Sequence, residues 1–121
     1  MADKNEFTEE KLIYLATPYT GFKGSREEAY HLACLKAAEL MEEGYTVFSP
    51  IAHSHSIEVE AGWKKAPKSG EFWLKQDFAI LAYCDELWVY KLPGYDTSTG
   101  VLAERAFAEA YDIPIKEIDY A

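Results

Sequence analysis

The sequence predicts an α/β fold, doubly wound and Rossmann- or flavodoxin-like, with a mostly parallel sheet of four to five strands. Three observations predict it. Short apolar runs are continuous rather than alternating, as in strands buried on both faces. Segments with helical spacing separate those runs. Each run but the last ends in small or polar residues that lead towards a helix start.

The elements follow in order. Residues 1–11 are polar and acidic and read as a flexible leader, so the domain spans 12–121. Leu12-Ile13-Tyr14-Leu15-Ala16, closed by Thr17-Pro18, reads as the first strand. A loop with two glycines follows, then Ser25 as N-cap with Glu27 and Glu28 in the first turn. Ala29, Leu32, Ala33, Ala37, Leu40 and Met41 give that helix one apolar face, and Gly44 ends it. Residues 45–48 form the second strand, closed by Ser49-Pro50. Residues 50–70 show no sustained period and read as a long loop, with a short helix conceivable over 57–63. A helix is expected over 71–84, a strand over 86–90, a helix from Ser98-Thr99-Gly100 to about Tyr111, and a last strand at 113–115. Pro114 confines that strand to an edge or a first position.

Composition narrows the function. The 121 residues suit one domain, and the net charge of −9 disfavours a nucleic acid polymer as partner. Aromatic residues make up 15% of the chain, enough for a generous core or a ring-walled pocket. Cys34 and Cys84 both read as free, buried thiols; no CxxC or Cys/His cluster is present, so no metal site is expected. No signal peptide and no membrane-spanning run is visible, which makes the expected location cytoplasmic.

In parallel sheets ligands sit outside the carboxyl ends of the strands. Four constellations fall near those ends. In Ser98-Thr99-Gly100-Val101-Leu102-Ala103-Glu104 the glycine and the glutamate are four apart. They share a helix face, with Glu104 leaning over open space at Gly100. The helix dipole is expected to help keep Glu104 ionised. The same spacing also fits an ordinary surface glutamate. Residues 14–21, continuing to Arg26, form a small-residue turn that matches neither a dinucleotide fingerprint nor a P-loop. His53-Ser54-His55 reads either as a polar loop with one histidine reaching substrate or as two solvated histidines. Asp77 lies mid-helix among aromatics, where it faces either solvent or a cleft, and Asp85 reads as a cap.

Together these residues resemble the nucleoside 2-deoxyribosyltransferase superfamily and its relatives, the 2′-deoxynucleoside 5′-phosphate N-hydrolases. The match is closest to a small bacterial and phage branch. It rests on Tyr14-Leu15-Ala16-Thr17-Pro18-Tyr19, on Val47-Phe48-Ser49-Pro50-Ile51 with Ser54-His55, and on Trp73…Asp77. Cys84-Asp85-Glu86-Leu87, Leu92-Pro93-Gly94-Tyr95, Ser98, Gly100 and Glu104 complete it, so the similarity runs from about residue 12 to 115.

The resemblance implies a double displacement at C1′ of a (deoxy)nucleoside or nucleotide. Glu104 would be the nucleophile, Asp77 the carboxylate assisting the departing base, and Tyr14 the residue orienting Glu104. Thr17, Tyr19, Arg26, Ser98 and Gly100 would bind substrate. His55 is placed like the family's pocket histidine, with His53 competing for the role. No cofactor is implied, and a homo-oligomer, dimer or tetramer, is. Water as acceptor gives a hydrolase and a second base gives a transferase; both stay open. The competing expectation is a binding module of the same fold that senses a nucleotide without cleaving it.

Overall fold

The computed structural model describes residues 11–63 and 69–120. Four parallel strands form one sheet in the order β2-β1-β3-β4: β1 Leu12–Ala16, β2 Thr46–Phe48, β3 Glu86–Tyr90 and β4 Ile115–Ile118. The helices are α1 Arg26–Glu42, α2 Pro50–Ala61, α3 Gly70–Leu81 and α4 Thr99–Ala110. The fold is therefore the doubly wound α/β architecture that the strand–helix alternation predicts. Among the described residues, no helix is long and apolar enough to cross a membrane.

Alternate residues of β1 feed two cores, as the period of two in a strand requires. Ile13 and Leu15 pack with Ala37, Leu40, Trp88 and Leu92 under α1. Tyr14 and Ala16 pack with Leu81, Leu87, Val89, Val101 and Ala108 under α3 and α4. Alanines at 29, 33 and 37, four apart, bring α1 close to its neighbours. Met41, assigned above to that apolar face, is instead 53% exposed, because the face ends at Leu40 before the chain turns at Gly44.

Several boundaries differ from the sequence expectation. Residues 50–61, expected as loop, form α2. Ser49 caps it through Ala52 N, Pro50 occupies the first turn, and Gly62 ends it in the left-handed region at φ 67. Its buried residues are Pro50, Ser54 and His55, so no aliphatic period announces the helix. Residues 64–68 of the expected loop, and 1–10 of the expected leader, lie outside the described residues. Lys11 is tied to β3 by an ion pair to Glu86 at 2.8 Å. α3 stops at Leu81, and the last strand begins at Ile115, with the Pro114 carbonyl accepting from Leu87 N at 2.9 Å. Cys84 is buried, whereas Cys34 is only half-buried, on the flank of α1.

Two contacts fix how the strand ends meet. Asp85 accepts from Leu12 N at 2.7 Å and its own N–H donates to Leu12 O at 2.8 Å, which locks the start of β1 against β3. At the other end, Gly94 has φ +99, and a Cβ there would stand 2.1 Å from Gly21 O. The β3–α4 loop thus lies directly on the β1–α1 loop with no side chain between them. Gly94→Ala combines backbone strain with a backbone clash. We expect it to destabilise the fold by at least about 2 kcal/mol, read as a lower denaturation midpoint in urea.

Candidate functional site

A cleft of about 1090 Å³ opens at the carboxyl ends of β1 and β3. This is the switch point, where the chain leaves β1 towards β2 on one side and β3 pairs on the other. Thr17 and Tyr19 enter it from the β1–α1 loop, Ser98 and Gly100 from the start of α4, Asp77 from α3 and Ser54 from α2.

Its floor is acidic. Glu104 projects from the second turn of α4 and is 4% exposed. Tyr14, fully buried on β1, donates its phenolic O–H to Glu104 Oε2. Asp77, 7% exposed on α3, carries an Oδ1 with no hydrogen-bond partner among the described residues; the same is true of Thr17 Oγ1. Buried polar atoms are normally paired, so two orphans facing one cleft mark where a ligand's polar groups belong.

Burial governs the charge states. It pushes Glu104 up to about 8; the Tyr14 hydrogen bond works against that shift and the Asp77 charge adds to it. Burial alone raises Asp77 to about 6. Burial and the two carboxylates hold Tyr14 well above the usual phenol range, so it stays a donor. Glu104 is thus not kept ionised by the helix dipole, contrary to the sequence expectation. The dipole acts within the first turn, and Glu104 stands beyond it. Near neutral pH the two carboxyls share about one proton, as a coupled acid pair does.

The rim is set by caps and rings. Ser98, 3% exposed, is the N-cap of α4, and its Oγ accepts from Val101 N at 3.3 Å. A Cβ on Gly100 would meet only Ser98 Oγ, at 3.9 Å, so the space beside it is open. Arg26, the first residue of α1, sits over the Tyr19 ring at 5.5 Å. The histidines are placed differently from the sequence expectation, because both ride on α2. His55 is buried behind Tyr19, bonded through Nδ1 to Tyr19 Oη at 2.6 Å and stacked on Tyr30 at 4.3 Å. His53 is exposed and packs against Phe48 at 5.5 Å. Neither lines the cleft; His55 acts on it through Tyr19.

Glu58 is not singled out in the sequence, nor is the wall that Phe72 and Trp73 form beside it. Ile51, Ser54 and Glu58 are spaced i, i+3, i+7. That signal becomes readable once Ser49-Pro50 is taken as a helix start. Among the described residues, no group of three or more His, Cys, Asp or Glu is arranged to hold a metal ion. Cys84 is not a nucleophile here, since burial pushes its thiol up to about 11.

Residues 11–119 match a family model described as "Domain of unknown function (DUF1937)". No curated protein matches the chain.

Glu104 is neutral in the fold up to about pH 8 but ionises near 4.5 when free. Between those values the folded state binds more protons than the unfolded one, so this group's contribution to stability falls as pH rises. Glu104→Gln keeps an acceptor for Tyr14 and removes the charge. It is expected to stabilise the protein by about 1–3 kcal/mol at pH 8.5 and by little at pH 4.5, measured by thermal melts at both values.

Proposed function

We propose that this protein, which belongs to the DUF1937 family, cleaves or transfers at the N-glycosidic bond of a (deoxy)nucleoside or nucleotide through a covalent glycosyl-Glu104 intermediate. The observation that carries this reading is the buried Tyr14–Glu104 hydrogen bond opposite the unpartnered Asp77 in one cleft.

The chemistry follows from the groups. Tyr14 holds Glu104 Oε2 and leaves Oε1 to attack C1′. The pair holds one proton near neutral pH, and substrate binding moves it from Glu104 to Asp77. The ionised Glu104 attacks, the C1′–N bond breaks with its electron pair going to the base, and Asp77 gives the base that proton. Positive charge grows on the sugar ring in the transition state, and a carboxylate against C1′ stabilises it. Asp77, now ionised, accepts a proton from water or from a second base. That acceptor attacks C1′, frees Glu104 and completes hydrolysis or transfer. The open space at Gly100 takes the sugar, and Ser98, Thr17, Tyr19 and Arg26 supply polar contacts around it. No metal or organic cofactor enters any step.

The reading extends to a cytoplasmic protein that self-associates. Tyr83 and Tyr111 stand 85% and 68% exposed, a large aromatic surface for a small monomer. A second reading, a nucleotide sensor without turnover, is favoured by one observation: burial holds Glu104 protonated at neutral pH, a state that binds but does not attack.

Incubation with a mixed panel of nucleosides and nucleotides, followed by chromatography, separates the two. Free base released by the wild type and lost by at least about 10³-fold in Glu104→Ala supports catalysis. Calorimetric binding with no base released supports the sensor. The proton count adds a pH test. Asp77 near 6 and Glu104 near 8 bracket the singly protonated pair, which yields nucleophile and acid once its proton passes from Glu104 to Asp77. Below about 6 both carboxyls are protonated and above about 8 neither is. The kcat/KM profile is therefore expected to be a bell with its top near 7. Asp77→Asn should remove the bell.

A further inference from the structure

We infer that Glu58, fixed by the Trp73 indole at the α2 side of the cleft, reads the hydrogen-bonding edge of the base and selects a 2-amino-6-oxopurine, the guanine type. This rests on the N-glycosidic reading above and adds to it the residue that determines specificity.

Position comes first. Trp73 and Asp77 are four apart on α3 and both line the cleft. They share a helix face, separated by about 6 Å along the axis. A base whose glycosidic nitrogen lies at Asp77 therefore extends along α3 towards Trp73. Glu58 stands there on α2: Trp73 Nε1 donates to Glu58 Oε1 at 3.2 Å. That bond fixes the carboxylate at the Trp73 end of the cleft. Among the described residues, Glu58 Oε2 has no protein hydrogen-bond partner.

The wall is aromatic. Trp73 meets Phe72 nearly perpendicular, with centroids 5.1 Å apart, and Trp63 closes the group at 6.0 Å from Trp73. Such a surface accepts the face of a planar heterocycle, and every base has one, so stacking gives affinity without discrimination.

Discrimination falls to Glu58. An ionised carboxylate only accepts hydrogen bonds. The guanine edge presents a ring N–H beside an exocyclic amino group, donors only. Adenine and cytosine place an amino group beside a bare ring nitrogen, whose lone pair faces the carboxylate. Uracil flanks its N–H with two carbonyls. Guanine is thus the one common base that offers two adjacent donors to the carboxylate, where the others offer a single N–H. Sites of this kind reject ligands whose polar pattern leaves buried groups unpaired.

The experiment measures binding and turnover in parallel. Binding of the guanine, hypoxanthine, adenine and cytosine 2′-deoxynucleosides and their 5′-monophosphates is followed by calorimetry in a Glu104→Gln background, where nothing turns over. Base release is followed in protein with Glu104 intact. The guanine compounds are expected to bind at least tenfold tighter than the others, hypoxanthine included, since it lacks the amino group. Glu58→Gln turns one acceptor into a donor. It should weaken guanine binding tenfold or more and improve adenine, whose edge matches an amide. Trp73→Phe keeps a ring and deletes the N–H, and should erode the same selectivity less. A merely structural role for Glu58 would lower all bases together. An unchanged order of preference in Glu58→Gln, or a wild-type preference for adenine or cytosine, overturns the inference. Base release indifferent to base identity overturns it while leaving the glycosidase reading intact. Guanine binding that depends on Glu58, with no base ever released, does the reverse. Absence of binding by every compound overturns both.

Discussion

The carboxyl of Glu104 is buried with no cation beside it among the described residues, and much of the cleft's arrangement answers to that constraint. A charged carboxylate in such a place is strongly unfavourable, so the group holds its proton and takes a hydrogen bond from Tyr14. Tyr14 can reach it only because the period of two in β1 points residue 14 to the α4 face, while Ile13 and Leu15 go to the α1 face. The same bond constrains how α4 lies on the sheet. An aliphatic residue at 104 would pack there at lower energetic cost. Keeping an acid there is the kind of local conflict that marks function.

The loops around that acid are shaped by what they lack. The approach of Gly94 to Gly21, and of Gly21 to the Ser98 backbone, joins two βα turns without intervening side chains. Ser98 is then free to cap α4 and to border the cleft at once. On the far side, α2 is an uncommon wall, because its buried face is polar. His55 spends its hydrogen bond and its stacking on Tyr19 and Tyr30, which steadies a ring at the cleft mouth beneath Arg26. Ser54 and Glu58, on neighbouring turns, look into the cleft instead.

The proton inventory ties the site together. Asp77 and Glu104 come from adjacent helices with β3 between them in the chain, yet each is raised by burial. Coupled carboxyls of this kind separate into one form that holds a proton and one that does not, which gives an acid and a base from the same residue type. Among the described residues Thr17 Oγ1 and Asp77 Oδ1 have no partners, and a ligand's polar groups would complete them.

Local chemistry made much of the fold legible. Continuous apolar runs gave β1 and β3, Ser25 and Ser98 gave the starts of α1 and α4, and Gly44 marked the end of α1, because strand burial and helix caps are written in adjacent residues. The spacing of Gly100 and Glu104 likewise put both on one face of α4. What adjacency does not encode was decided by the tertiary structure. α2 buries serine and histidine rather than leucine, so its period is invisible until a neighbour is present to hydrogen-bond them. The partnership of Tyr14 with Glu104 spans ninety positions, and the proton on that glutamate depends on how much water the assembled sheet and helices exclude. Sequence determines which groups are present and which helix face they occupy. Solvent exclusion, and therefore charge state, is a property of the packed whole.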